Sequence, residues 1–320
     1  MANEINILFT CVGRRVSLIN SFRNAAASLG KDCKICGTDV TELAAGMQVC
    51  ESYYIVSSTQ SSDYINQLLD IVKREEIDLL IPTTDHDLLA LAVNRGLFEE
   101  LGCFVLIAEP QVVELCQDKR LTYKFLSENG FNTPKTSLPS ELDPEKIAYP
   151  CFLKPWDGYA SRGATIANDA AEFEFYSKRI PNCISQQYIK GDEITCDVFT
   201  DRDGQVRSVV PRKRLEVRAG EVNKAVIVKD RDVMDQVAKL AGVLDTKFCI
   251  LTIQLLLSED RQVYFIEINP RFGGGMPLSI KAGANFPLWL LEKHLGLKCS
   301  AGNNYQDGLT MLRYDAEVWL

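Results

Sequence analysis

Along the first third of the chain, apolar residues alternate between short runs and longer stretches where they recur every three or four positions. The runs Ile5–Thr10, Cys33–Thr38, Tyr53–Val56, Asp78–Pro82 and Phe104–Ile107 read as strands. The stretches from about Arg14 to Leu29 and from Tyr64 to Arg74 read as amphipathic helices, and a further helix falls between Pro82 and Phe104. Such alternation predicts a parallel sheet with helices on both faces, whose ligand crevice lies at the carboxyl ends of the strands.

The pattern changes at about residue 116. A helix opens at Asp118 and runs to Asn129, where Gly130 stops it. Apolar strands follow at Tyr149–Pro155, Phe248–Leu257 and Val263–Ile268, with an amphipathic helix from Asp230 to Leu244. The strand at Val263 carries a carboxylate at Glu267 and leads to an amide at Asn269. Residues two apart share a face, so both project together. A hairpin across Glu259, Asp260 and Arg261 sets Gln254 beside Glu267. Three converging oxygen donors suit a hard cation such as Mg2+ with phosphate oxygens completing its shell; the alternative is an edge strand with one wet face. Pro270 ends the strand, Arg271 places a fixed cation beside it, and Gly273, Gly274 and Gly275 let backbone approach a ligand closely.

Other strand ends are polar too. Gly13 followed by Arg14 and Arg15 at a helix start makes an anion site. Only one of the three glycines of a dinucleotide fingerprint is present, so Asp39 alone supports a nicotinamide site weakly. Thr84 and Asp85 serve either as a helix cap or as substrate contacts. Lys154 ends a buried strand and requires an anionic partner. The loop 156–165 offers Gly158, Ser161, Arg162 and Gly163 to cover phosphates, or is a plain hairpin. Four cations, Arg212, Lys213, Arg214 and Arg218, gather between strands, either for phosphate or an acidic substrate or as a solvated hairpin.

Composition narrows the function classes. At 320 residues the chain accommodates two or three packed units. A net charge of −8 and the lack of a basic run exclude a nucleic-acid binder. No segment is long and apolar enough to span a bilayer, and the start carries no export signal. The eleven cysteines sit mostly in apolar runs and read as reduced core residues of a cytoplasmic protein; Cys33 and Cys36 face opposite sides of a strand. With two histidines, His86 and His294, a histidine zinc site or a Ser-His-Asp triad is disfavoured.

Gln254, Glu267, Asn269 and Arg271 resemble the metal-and-phosphate signature of the ATP-grasp superfamily, particularly the ATP-grasp half of carbamoyl-phosphate synthase large subunits. Further motifs occur in the family's order: Asp118-Lys119 through Pro134, the strand ending at Lys154, the loop 156–165, and the segment Cys183–Phe199. The resemblance covers about residues 5–295. It implies a Rossmann-like pre-ATP-grasp domain over 1–115, then two α+β subdomains, 116–190 and 191–320, sandwiching ATP. It implies that Gln254, Glu267 and Asn269 hold Mg2+, as two ions, with Mn2+ as an alternative. Lys119, Lys154, Gly158, Ser161, Arg162, Gly163 and Arg218 would contact phosphates. Backbone groups of Gln187 and Ile189, flanking Tyr188, would read adenine, and Glu193 the ribose; Gln187 stands where the family commonly has Glu. Lys154, Arg218 and Arg271 would be catalytic, and Gly13, Arg14, Arg15 and Asp85 would meet substrate.

The implied activity is an ADP-forming ligase making a C–N bond: a small-molecule carboxylate becomes an acyl phosphate that an amine or other nucleophile displaces. The expected assembly is a homodimer. The alternatives are carbamoyl-phosphate-type chemistry on bicarbonate or carbamate with partner subunits, a non-catalytic ATP-binding regulatory protein and, least, a nicotinamide oxidoreductase.

Overall fold

A computed structural model describes residues 4–158, 162–218 and 220–320. The first unit is a five-stranded parallel sheet, ordered β3-β2-β1-β4-β5, built from β1 (Glu4–Thr10), β2 (Asp32–Asp39), β3 (Ser52–Ile55), β4 (Leu79–Pro82) and β5 (Phe104–Val105). Helices α1 (Val16–Ser28), α2 (Tyr64–Arg74), α3 (Leu88–Val93), α4 (Arg95–Glu100) and α5 (Pro110–Gln117) connect and flank it. The predicted strand-helix alternation is therefore found, with the helix before β5 broken into two at Asn94. Strand period sorts the buried residues: Leu8, Cys36 and Leu80 join one apolar cluster, and Ile7, Phe9, Ile35, Leu79 and Ile81 the other.

After α6 (Lys119–Glu128) comes a four-stranded sheet ordered β6-β9-β7-β8, from β6 (Thr136–Ser137), β7 (Cys151–Pro155), β8 (Thr165–Ala167) and β9 (Cys183–Gln187), with α7 (Ala170–Ser177) packed on it. Its small core of Cys151, Leu153, Ala167, Phe173 and Cys183 is separate from the rest.

The third sheet has six strands ordered β14-β13-β10-β11-β12-β15: β10 (Gly191–Thr200), β11 (Val206–Arg218), β12 (Glu221–Ile227), β13 (Cys249–Ser258), β14 (Val263–Asn269) and β15 (Thr310–Leu312). It carries α8 (Arg231–Val243), α9 (Met276–Lys281) and α10 (Phe286–His294). The region from Pro211 was expected to lie between strands; Pro211 to Arg218 instead belongs to β11. Both large apolar clusters run through this sheet and the first one, so Leu8 shares a core with Leu251, and Phe9 with Phe199 and Trp289. This continuity fixes the parallel sheet's carboxyl edge against β14.

All eleven cysteines are unpaired. Burial pushes Cys11, Cys33 and Cys36 up to about 12, so these thiols stay protonated and unreactive. No helix among the described residues is long and apolar enough to cross a membrane.

Candidate functional site

Among the described residues three cavities meet at the junction of the three sheets; two of them share Arg214 and Gln254, and the third, about 600 Å3 and lined by Asp85, Lys119, Gly158, Glu267 and Asn269, shares residues with each. Gln254 pairs with Glu267 across β13 and β14, and Thr252 pairs with Asn269. Just past Gln254 the register slips, so that Leu255 faces Phe265 and Ile266 is the extra residue. This bulge turns Ile266 and Glu267, which strict alternation would set on opposite faces, toward one cavity. Gln254, Glu267 and Arg214 lie on the walls of both of the first two cavities, and Asn269 lines the smaller of these.

The larger of the two cavities that share Arg214 and Gln254, about 400 Å3, lies between the four-stranded and six-stranded sheets. Phe152, Tyr188, Ile189, Leu256 and Ile266 give it an apolar section, while Lys119, Lys154, Gly158, Arg162 and Glu193 line its polar part. An apolar slot beside converging cations matches a base joined to phosphates. Lys119 is 8% exposed and donates from Nζ to the Gly158 carbonyl at 2.6 Å. That neutral partner ties the start of the loop to α6 without cancelling the lysine's charge. Burial lowers Lys154 from 10.5 to about 8; the carboxylate of Glu267 opposes the shift and the Lys119 ammonium adds to it. Gln187 lines this cavity as well, but its N–H donates to the Lys135 carbonyl at 2.8 Å. Of its two backbone groups, only the carbonyl can serve a ligand. Glu193 is held by an ion pair with Arg214, a residue whose individual role the sequence did not disclose.

The smaller cavity, about 230 Å3, lies between β11–β14 and the edge of the parallel sheet. Arg271 donates from Nε to Asp85 Oδ1 at 2.8 Å, makes a second hydrogen bond from Nη2 to Oδ2, and reaches Asn269 Oδ1 at 3.3 Å. Asp85 therefore anchors Arg271. Neither it nor Thr84 caps α3, whose N-cap is Asp87 with no side-chain cap bond. Arg15 lines this cavity, as do the turn Gly273–Gly275 and Arg212. Arg212 is buried against Asp197, with bonds of 2.7 and 2.8 Å, and Ser279 donates to the same carboxylate at 2.6 Å. The glycines are required by protein side chains. A Cβ on Gly275 would lie 2.2 Å from Arg212 Nη1, one on Gly274 2.7 Å from Arg15 Nη1, and one on Gly273 2.7 Å from Thr252 Oγ1.

Several expected residues lie elsewhere. Arg218 is not on either wall; its side chain is 73% exposed and pairs with Asp315 at 3.2 Å. Arg14, 82% exposed, pairs with the same Asp315 at 3.2 Å. Gly13 is also outside, and its N–H donates to Asp39 Oδ2 at 2.9 Å, so the predicted anion site already holds a carboxylate of the chain itself. Gly163 packs on Pro155, where a Cβ would approach to 3.3 Å. Ser161 lies outside the described residues.

The donor set fits Mg2+. Gln254, Glu267 and Asn269 supply only oxygen from side-chain carbonyls or a carboxylate, and no thiolate or imidazole competes among these three.

A family model described as an ATP-grasp domain matches residues 116–275, half of the chain, and one described as a PylC-like N-terminal domain matches residues 7–106. Formate-dependent phosphoribosylglycinamide formyltransferase of Ignicoccus hospitalis is 23% identical over 269 residues, covering 74% of this chain and 63% of that protein. D-alanine–D-alanine ligase of Bacillus anthracis is 26% identical over 166 residues, covering 45% and 53%. The chain thus spans about half to two thirds of the length of these curated relatives. Among solved structures, an ADP complex of the N5-carboxyaminoimidazole ribonucleotide synthetase purK superposes with a TM-score of 0.74 at 16% identity, covering 97% of this chain and 81% of that one. An L-amino acid ligase from Bacillus licheniformis gives 0.71 at 19% identity, covering 94% and 76%. These superpositions show a shared fold.

Proposed function

This chain belongs to the ATP-grasp family, and from that premise we propose that it is an ATP- and Mg2+-dependent, ADP-forming ligase that joins a small carboxylic acid to an amine. The observation that carries the reading is the shared wall. Gln254 and Glu267 stand between a cavity with an apolar section and lysines and a second cavity rich in guanidinium groups. An acid in the second cavity then faces a terminal phosphate in the first.

ATP would lie with adenine in the apolar section, against the Gln187 carbonyl and the Ile189 N–H on either side of Tyr188, and with its ribose at Glu193. Lys119, Lys154 and Arg162 would hold the phosphates, with backbone at Gly158 closing over them. Mg2+, as two ions with Mn2+ as an alternative, would be held by Gln254, Glu267 and Asn269 and neutralise phosphate charge. In the reaction, a carboxylate oxygen forms a bond to the γ-phosphorus as the bond to the bridging oxygen of ADP breaks. The amine nitrogen then attacks the acyl carbon, loses a proton, and phosphate leaves. Arg271, clamped by Asp85, stabilises the charge shared by acid and phosphate, and positioning supplies most of the acceleration. The unpaired cysteines support action in a reducing cytoplasm, and we take the active form to be a homodimer.

The test is ADP and phosphate release from Mg-ATP with pooled carboxylates, with and without pooled amines, and with bicarbonate separately. Release that needs an acid and an amine is the expected result. Release with bicarbonate alone would move the chain to carbamoyl-phosphate-type chemistry. ATP binding with silence in every well would make it a nucleotide-binding regulator. In the active pair, Glu267→Gln should lower ADP release by about 100-fold or more while leaving the circular dichroism unchanged; retained turnover would sink the metal assignment.

A further inference from the structure

Within the smaller cavity the charges do not balance, and the imbalance is local. Four guanidinium groups line it. Three have a carboxylate of their own: Arg212 has Asp197, Arg214 has Glu193 and Arg271 has Asp85. Arg15 does not. Among the described residues the only carboxylate within 4 Å of it is Glu221, at 3.7 Å, beyond hydrogen-bond distance. Glu221 is itself engaged by Arg313 at 3.2 Å, from the segment that follows β15.

One carboxylate thus serves two guanidinium groups, which leaves Arg15 and Arg313 one carboxylate short; the remaining carboxylate on the wall, Glu267, is the one proposed to hold Mg2+ and makes no ion pair with Arg15 among the described residues. Arg313 is fixed in this role, because it also donates to the Gly274 carbonyl and its N–H continues the β15 pairing to the Asn223 carbonyl at 3.0 Å.

Arg15 has 19% of its side chain exposed, and among the described residues its one side-chain hydrogen bond is a long one, 3.5 Å to the Thr83 carbonyl. Burial, with the charges of Arg271 and Arg313 added, lowers its proton affinity even though Glu221 and, more weakly, Asp85 oppose the shift. A buried guanidinium with donors to spare and uncancelled charge is a costly arrangement unless an anion completes it. Among the described residues Val222 is the single apolar side chain on the wall. Arg15, unlike Arg214, Gln254 and Glu267, is not shared with the nucleotide cavity, so the unmet charge stands apart from the wall where the reacting carboxylate must lie.

We propose that the acid substrate is a small dianion, whose second anionic group, a carboxylate or a phosphonate-like group, is bound by Arg15. The inference rests on the ligase reading for which carboxylate reacts, but the anion site can be tested without turnover. Arg313 acts as a positioning residue. By holding Glu221 it prevents that carboxylate from neutralising Arg15, and it keeps Glu221 from receiving an ammonium group.

The experiment is calorimetric titration of the full chain, in the presence of MgADP, with glutarate, 3-phosphonopropionate, butyrate and 4-aminobutyrate. Glutarate or 3-phosphonopropionate should bind about tenfold or more tightly than butyrate, the value of one charge-assisted hydrogen-bond pair. Which of the two binds more tightly identifies the second group. Arg15→Ala should erase the preference. Glu221→Gln should strengthen dianion binding, a gain that misfolding cannot produce. Arg313→Ala should move selectivity toward 4-aminobutyrate by freeing Glu221.

Equal binding of glutarate, 3-phosphonopropionate and butyrate, a wild-type preference for 4-aminobutyrate, or an unchanged preference in Arg15→Ala would each overturn the proposal. The ligase reading has a separate fate. Selective dianion binding with no ADP release from any acid–amine pair refutes the ligase alone, and release driven equally by monoacids refutes the dianion alone.

Discussion

Arg271 and Asp85, 186 positions apart in the chain, are joined by two side-by-side hydrogen bonds that tie the end of β14 to the loop after β4. The pair is largely buried, with side-chain exposures of 14% and 25%. Removing one member leaves the other charge desolvated without a partner. We expect Asp85→Ala to lower the unfolding free energy by about 2–4 kcal/mol in urea titration, with Asp85→Asn less damaging. A loss below about 0.5 kcal/mol would mean that the pair does not hold the two sheets together.

Lys154 gives a pH signature with a definite sign. Its ammonium is disfavoured in the fold, where burial brings it from 10.5 to about 8. Between those values the unfolded chain binds the proton more readily, so this lysine's unfavourable contribution is fully present below about pH 8 and is relieved as pH rises toward 10.5. Bound phosphates favour the charged form, so ADP binding should take up a proton above pH 8. ADP affinity should fall by up to about tenfold per unit above that pH, and Lys154→Met should be weaker binding and flat. Calorimetry in buffers of different ionisation enthalpy reads the proton uptake directly. A wild-type profile as flat as that of the variant would remove Lys154 from the phosphate site.

Gly275 and Gly242 make opposite forecasts for the same substitution. At Gly275 an added methyl group meets Arg212, which cannot yield because Asp197 grips it. Gly275→Ala should therefore destabilise the fold by about 2–3 kcal/mol. Gly242 lies in α8 with nothing within 4 Å of the added atom, so Gly242→Ala should stabilise by about 0.5–1 kcal/mol. Thermal midpoints moving in opposite directions would bear this out; a neutral Gly275→Ala would show that the arginine can relax.

Arg214 and Arg218 should differ sharply although both belong to one cation-rich stretch. Arg218→Ala removes only an exposed pair with Asp315 and should change ADP affinity less than about threefold. Arg214→Ala removes a guanidinium from the wall between the two cavities and frees Glu193 in the 400 Å3 one, and should weaken ADP by about tenfold or more. Equal losses in equilibrium binding would place Arg218 nearer the nucleotide than its exposure allows.

Much of the fold was legible because period and polarity are local. The helix Tyr64–Arg74 follows from its apolar spacing, and the parallel sheet from strand-helix alternation. Within the site, Gln254 beside Glu267 needed only two apolar strands and a short turn between them, so the sequence determined that pairing. It determined in the same way that Lys154 ends a buried strand.

Tertiary structure alone decided which distant groups face one another. Strand period places Arg212, Arg214 and Arg218 on one face of β11, but two register irregularities, either side of Glu216, interrupt that period before Arg218. The bulge that turns Ile266 beside Glu267 is likewise a property of the paired strands. The three glycines are compatible with close approach to a ligand from sequence alone; that they sit on Thr252, Arg15 and Arg212 depends on strands and helices brought together from across the chain. The last residues carry no periodic signal, yet Arg313 and Asp315 take the partners that decide which arginines remain for a ligand. Spacing along a chain fixes the face on which a charge lies. Whether that charge is spent is settled by the element packed opposite, and here Arg15 keeps its own because Glu221 is already held.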